Sequence, residues 1–517
     1  MTPRIAYYVL IAFTVVLIAA FSVLDYVAPG GRHLSTIAGV DRVNYFDTTH
    51  SILFDHDFNL NDEYKRIKPD DEEWTAIVPK TGLPASPWGI AYSVLEVPFL
   101  AVGVAGDAIA GHPADGYSYF ARFIYALGNV VIGGLGLMAL FHLLYRASSS
   151  WGVESSRAAW YSLFACFAVF FGTNVGYYAF SLISHATTFL LLCLFLAYWW
   201  KVRSTAIASS WFFLGLLGGF ASISRWQDVV YVAGPIIYDL LGPEWRKNIL
   251  SWLRLRVCYG LGLLVSFIPQ MFQWKMIYGK WLTIPQGGGI FSFPPTHMLH
   301  ILFASQNGWF IWTPLIAIGM IGVAYGFFKN HAREFTPWII AALIEVAVVG
   351  SLSVWHGVES FGARYMLSGT PLASLGLMVL LCKSPKLVSR SVMAATMLSC
   401  IFTMLFAIQY RMDLIPKGRT LTTKELFADK FHLIAIHRQK VLANTAQRYL
   451  NEGNPSSAFA LLERADSMGE DRDVITILGN AYRAIGDSAK AEEEELRLKR
   501  FLAKGYDSQV VFGRTAH

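Results

Sequence analysis

The chain has 517 residues, of which 54% are hydrophobic, 15% aromatic and only 15% charged. That is more apolar surface than a soluble domain can bury, which excludes a soluble enzyme, and runs of about 20 uncharged residues read as membrane spans. The net charge of +6 lies in short loops, so it speaks to topology and not to a nucleic-acid partner.

The first apolar run, Ile5 to Leu24, is too long for a signal core and no small-residue cleavage site follows it, so it is expected to be a retained span. The chain then gathers acids in "GVDRVNYFDTTHSILFDHDFNLNDEY" (39–64), which holds Asp41, Asp47, Asp55, Asp57, Asp62 and Glu63. Residues 88–110 are apolar but carry Glu96, Pro98 and Asp107. Further candidate spans lie near 117–145, 158–178, 186–200, 209–224, 228–242, 257–274, 309–328, 337–354, 365–382 and 391–409. The five cysteines fall in or beside these runs with no metal spacing, and read as core residues.

Parity fixes the sides. With the N-terminus in the cytoplasm and 88–110 lying in the interface, Arg146/Arg157, Lys201/Arg203, Arg246/Lys247/Arg254/Arg256, Lys329/Arg333 and Lys383/Lys386/Arg390 all become cytoplasmic. The opposite loops at 174–186 and 355–363 carry no Lys or Arg, which is the positive-inside pattern. If 88–110 crossed, every later loop would break it, so that segment is expected to be amphipathic and interfacial. The expectation is an all-α polytopic protein with about eleven spans, a first loop over 28–87 and a C-terminal tail outside. The outer face then collects "TGLPASPWG", "FGTNVGYYAFSLISHA", "SRWQD", "WKMIYGKWLTIPQGGGIFSFPP" and "WHGVESFGARYM".

From about residue 411 the composition turns soluble, and Tyr449, Gly453 and Ala458 recur 33 residues later as Tyr482, Gly486 and Ala491. Residues 411–517 therefore read as a second domain of paired helices resembling tetratricopeptide repeats, either a cap or a docking site for a protein partner.

Taken in order over residues 1–410, "YFDTTHSILFDHDFNLNDEY", "SPWGIAYSVLEVPF", "ISHATTF", "SRWQD", "IPQMFQWKMIYGKWLTIPQGG", "ASQNGWFIWTPLI" and "SFGARYMLSGTP" resemble segments of bacterial GT-C glycosyltransferases. These multi-span enzymes are related to protein mannosyltransferases and aminoarabinose transferases. The chain departs from them in having "VDR" where many carry two adjacent acids, and Ala85-Ser86-Pro87 where Asn-Pro is common. The resemblance implies inverting transfer of a sugar from a polyprenyl-phosphate carrier to an acceptor outside a bacterial inner membrane. It places Asp41 at the family's first-loop acid, as general base.

The residues themselves suggest the other roles. Arg225 and Arg364 lie at outer span ends beside aromatics, and a guanidinium fork suits phosphate. His185 and Gln286, the latter followed by three glycines, are candidates to line the pocket. Asp55 and Asp57, alternating in one segment, are candidates to bind the acceptor or a divalent cation and equally read as turn residues that cap the next helix, and Lys275 is a weaker phosphate candidate. No metal ligand set and no nucleotide loop is assigned. A translocase of lipid-linked sugars and an inactive membrane scaffold are the rival readings.

Overall fold

The computed structural model describes residues 1–27, 33–67, 76–286 and 288–503. Parts of the first loop, Gly287 and the last fourteen residues of the tail, 504–517, lie outside the described residues. The helices, in order, are α1 (Pro3–Tyr26), α2 (Val40–Phe54), α3 (Asn61–Ile67), α4 (Ala91–Ile109), α5 (Tyr119–Ser150), α6 (Ser155–Gly172), α7 (Asn174–Ala179), α8 (His185–Val202), α9 (Ala208–Ser222), α10 (Gly234–Leu240), α11 (Glu244–Lys247) and α12 (Ile249–Tyr278). They continue as α13 (Met298–Phe303), α14 (Trp309–Trp312), α15 (Pro314–Gly326), α16 (Ala332–Gly350), α17 (Thr370–Lys383), α18 (Lys386–Arg411), α19 (Thr423–Leu426), α20 (Leu433–Asn451), α21 (Pro455–Asp466), α22 (Arg472–Ala484) and α23 (Ser488–Ala503). Among the described residues, extended pairing is limited to two isolated bridges.

Among the described residues, seven helices are long and apolar enough to cross a bilayer: α1, α4, α5, α8, α12, the stretch Arg364–Lys383 and α18. The protein is thus an all-helical, multi-pass membrane protein. The chain forms two compact units: Met1–Met298, Thr313–Trp355 and Arg364–Cys400 in the first, and Leu299–Trp312, His356–Ala363 and Ile401–His517 in the second.

In the first unit α5 is the longest element and the others can be ranked along it. The helix α1 runs antiparallel to it, from Tyr119 Oη on Asp25 (2.6 Å) to Tyr7 Oη on His142 Nδ1 (2.8 Å). The helix α8 runs parallel, ending with Trp200 Nε1 donating to Ser150 Oγ (3.1 Å). The helix α4 lies antiparallel beside the first third of α5, with Gly103 against the Ala121 backbone and Glu96 against Gly128. Ala91 is therefore level with about residue 133 of α5, which continues roughly 25 Å further at 1.5 Å per residue. So α4 accompanies only one end of α5.

The cationic loops converge at the other end. Arg203 pairs with Glu334 (2.8 Å), Trp151 Nε1 donates to the same carboxylate (2.9 Å), and Lys383 Nζ donates to the Trp151 carbonyl (2.6 Å). Arg256 pairs with Asp239 and lies 3.5 Å from the Trp211 ring, while Arg333 pairs with Glu244 (2.8 Å).

The expected span at 228–242 is not one α-helix. It is a 3₁₀ helix, Trp226–Ala233, followed by α10. A 3₁₀ turn rises about 2.0 Å per residue, so these fifteen residues extend roughly 27 Å, nearly a membrane's apolar depth. They run from Arg225 to Tyr238, whose ring packs on Trp199 near the cationic end. Gly234 sits at the break because a Cβ there would meet the Trp338 ring at 2.2 Å. The expected span at 309–328 is also interrupted, at Thr313-Pro314.

Small residues set the closest helix approaches. A Cβ on Gly376 of α17 would stand 2.0 Å from the Gly319 carbonyl of α15, and one on Gly262 of α12 would stand 2.0 Å from the Phe212 carbonyl of α9. Such contacts replace the hydrophobic drive that helices lack among lipid tails.

In the second unit, the repeated segments fold alike. Gly453 (φ +75°) and Gly486 (φ +81°) each end a helix in the left-handed region, and the next amide closes back on Tyr449 or Tyr482. Ala443, Ala446, Ala458, Ala465 and Ala481 are buried together with Leu462, Val474 and Leu478.

Lys430 is also buried there, its Nζ 2.7 Å from Gln409 Oε1 and 3.6 Å from the Phe406 ring centre. Burial pushes this amine down to about 7 from its usual 10.5, against a small opposing pull from Asp429. Between those values the unfolded chain holds a proton that the folded chain does not, so stability rises with pH across that window and is flat below it. Lys430→Met is expected to flatten the rise in melting temperature between pH 7 and 10 in detergent, and an unchanged slope would refute this account.

Candidate active site

At the end of the first unit away from the cationic loops lies a cavity of about 240 Å³. Five elements deliver its polar groups. Asp41 comes from the first turn of α2, where a helix N-terminus favours an anion. His185 opens α8, Arg225 follows α9, Gln286 lies in the loop after α12, and Arg364 opens the 3₁₀ turn Arg364–Gly369 that precedes α17.

Asp41 is held from two sides. Its Oδ2 pairs with Arg364 Nη1 at 2.8 Å, and its Oδ1 accepts from Trp88 Nε1 at 3.1 Å. A carboxylate has about four acceptor positions, so both oxygens can still take a proton or a substrate hydroxyl. Trp88 is carried to this place by Gly89, where a Cβ would stand 2.1 Å from the Ile223 carbonyl, and by Gln270, which accepts from the Ile90 amide at 3.0 Å.

Arg225 is fixed as firmly. Its Nη1 lies 2.5 Å from His185 Nε2, and Gln227 Oε1, with its amide turned toward the guanidinium, accepts from Nε at 3.0 Å and Nη2 at 3.1 Å. A guanidinium only donates, so His185 accepts through Nε2 and carries its proton on Nδ1. The His185 ring is stacked on Tyr178 with centroids 4.3 Å apart.

The two guanidinium groups flank Tyr365, at 5.1 Å and 5.3 Å from its ring centre. Arg364 Nε is buried and has no partner among the described residues, and neither does Gln286 Oε1, although Gln286 Nε2 donates to the Pro87 carbonyl at 2.7 Å. Two fixed cations and one carboxylate therefore share a small chamber, where an anion gains most from preset donors.

Among solved structures, the chain is similar to ArnT from Cupriavidus metallidurans bound to undecaprenyl phosphate, with 15% identity over 94% of this chain and 79% of that one and a TM-score of 0.47. The apo state of the same protein gives 13% identity over 92% and 78%, with a TM-score of 0.46. The apo oligosaccharyltransferase of Archaeoglobus fulgidus gives 12% over 95% and 60%, with a TM-score of 0.41. No family model and no curated protein matches the sequence.

Asp41, His185, Arg225, Gln286 and Arg364 all line the one cavity. Three other candidates do not. Asp55 is an exposed C-cap of α2, and Asp57 serves the following turn, its Oδ1 accepting from Ser51 Oγ (3.0 Å) and the Asn59 amide (2.8 Å). Because α2 continues to Phe54, these two acids are turn residues and not alternate positions of an extended strand. Lys275 is exposed in the last turn of α12, 5.8 Å from the Trp281 ring centre.

The sequence reading passed over Trp88, Gln227 and Tyr365. Trp88 stood inside a quoted outer-face segment with no role given to it, yet its N–H donates to the Asp41 carboxylate. Its signal was local: a tryptophan between Pro87 and Gly89 has no helix to pack on.

Proposed function

We propose that this protein is a membrane glycosyltransferase that moves a sugar from a polyprenyl-phosphate carrier to an acceptor hydroxyl on the outer face of the membrane. The observation that carries the reading is the meeting of Asp41, Arg225 and Arg364 around one cavity at the bundle end opposite the cationic loops. By the positive-inside rule those loops face the cytoplasm, so the cavity faces outward at headgroup level. That 88–110 does not cross is part of this proposal, supported by α4 running antiparallel beside α5 at the cavity end alone.

In this reaction the acceptor oxygen attacks the sugar's anomeric carbon while its proton passes to Asp41. The carbon–oxygen bond to phosphate breaks, and its electron pair stays on the phosphate, whose charge the two arginines stabilise. Asp41 is the one carboxylate among the described residues lining the cavity, which suits a single displacement with inversion. No nucleotide is needed, because the sugar–phosphate bond supplies the driving force. The tail's repeated helix pairs, packed on their own core, would serve as a cap or as a docking site for a protein partner.

The test is to give purified protein a set of polyprenyl-phosphate sugars with envelope acceptors and to measure release of free polyprenyl phosphate. Acceptor-dependent release is expected. Movement of labelled lipid across vesicles without acceptor would instead establish a translocase, and neither activity would leave a scaffold.

A further inference from the structure

Away from the cavity, at the opposite end of α2 from Asp41, three side chains meet whose ligand atoms all lie within 4.8 Å of one another: His50, Asp55 and Glu63. His50 Nε2 is 3.0 Å from the Asp115 carbonyl, which can only accept, so Nε2 carries a proton, while Nδ1 either donates to Glu63 as a second N–H or, once deprotonated, presents its lone pair to a metal ion. That nitrogen faces Glu63 Oε1 at 3.3 Å. Bonds of about 2.0–2.1 Å at a tetrahedral ion would set two such atoms roughly 3.4 Å apart. An imidazole whose second nitrogen donates to a carbonyl is the common arrangement of a metal-ligating histidine.

A separate observation also points to cation binding. Asp47, one turn before His50 on the same helix, is fully buried, and neither of its oxygens has a partner among the described residues. Burial pushes its carboxyl well above the usual range, and Glu63 and Asp62 are the charges that raise it further. Glu63 Oε2 is likewise buried and unpartnered, and a carboxylate oxygen of Asp55 lies within 4.8 Å of one of Glu63. Among the described residues Glu63 pairs with His50 at 3.3 Å, and no arginine or lysine ion-pairs with Asp47, Asp55 or Glu63. Carboxyls packed this way either hold protons or take a cation, and a metal ion is one that would displace those protons.

We infer that His50, Asp55 and Glu63 form a binding site for one divalent transition-metal ion of the zinc or manganese class. Mixed imidazole and carboxylate ligation suits those ions better than calcium, which takes oxygen alone. Asp55 is exposed and gives the ion a route in. The bound ion ties α3 to the end of α2, and three protein ligands leave a position for water.

The experiment uses full-length protein in detergent, stripped with chelator and then titrated separately with ZnCl₂ and MnCl₂. Metal content after desalting and calorimetric affinity are the readouts. One ion per chain is expected, with affinity at least tenfold weaker in Asp55→Asn, whose exposed site carries no folding risk, and unchanged in Asp57→Asn two residues away. Failure of the parent protein to retain either metal, or equal affinity in Asp55→Asn, overturns the inference.

Discussion

Asp41→Asn is expected to slow sugar transfer by roughly 10²–10⁴-fold, the usual contribution of a positioned general base. Asparagine has the same shape and its side-chain oxygen can still accept from Trp88 Nε1, so the pocket is kept while proton acceptance is lost. The substitution also removes the ion pair that engages Arg364 Nη1. Arg364 is then freer to meet phosphate, so affinity for the polyprenyl phosphate product should hold or improve. Single-turnover transfer and equilibrium lipid binding on the same preparation check both halves. Parallel loss of both would make Asp41 a structural residue, and an unchanged rate would remove it from the chemistry.

The second large effect falls on binding. Arg225→Lys keeps the charge but loses the fork that His185 and Gln227 hold from both sides. A charge-assisted hydrogen bond contributes about 1.5–3 kcal/mol. Carrier-lipid affinity should therefore fall about ten- to a hundredfold. His185, left without its donor, should not restore binding. A measured change below twofold would show that Arg225 is a packing residue of the headgroup region and not a phosphate ligand.

Much of the candidate site was visible in the sequence because the membrane simplifies the problem. Asp41, His185, Arg225, Gln286 and Arg364 are far apart in the chain, but all sit in segments that positive-inside parity puts on one side. Polar groups at the same end of packed helices have few places to go. Asp55 and Asp57 stayed open between two readings because alternating acids look the same in a turn as in a strand, and only the length of α2 decides between them. The two broken spans were hidden for a related reason: hydropathy measures apolar length, whereas the 3₁₀ geometry of Trp226–Ala233 and the interruption before Pro314 depend on local packing. Gln227 stood within a quoted motif, yet its service to Arg225 is a matter of side-chain direction that spacing does not carry.

The place where the carrier's phosphate binds decides whether Arg225 and Arg364 serve a transferase. A cryo-EM map of the protein with a polyprenyl phosphate in nanodiscs would show this directly. The expected density places the phosphate between Arg225 and Arg364 beside Tyr365, with the lipid tail leaving toward the bilayer. Phosphate density at the cationic end, near Arg203 and Arg333, or an empty cavity at saturating lipid, would contradict it.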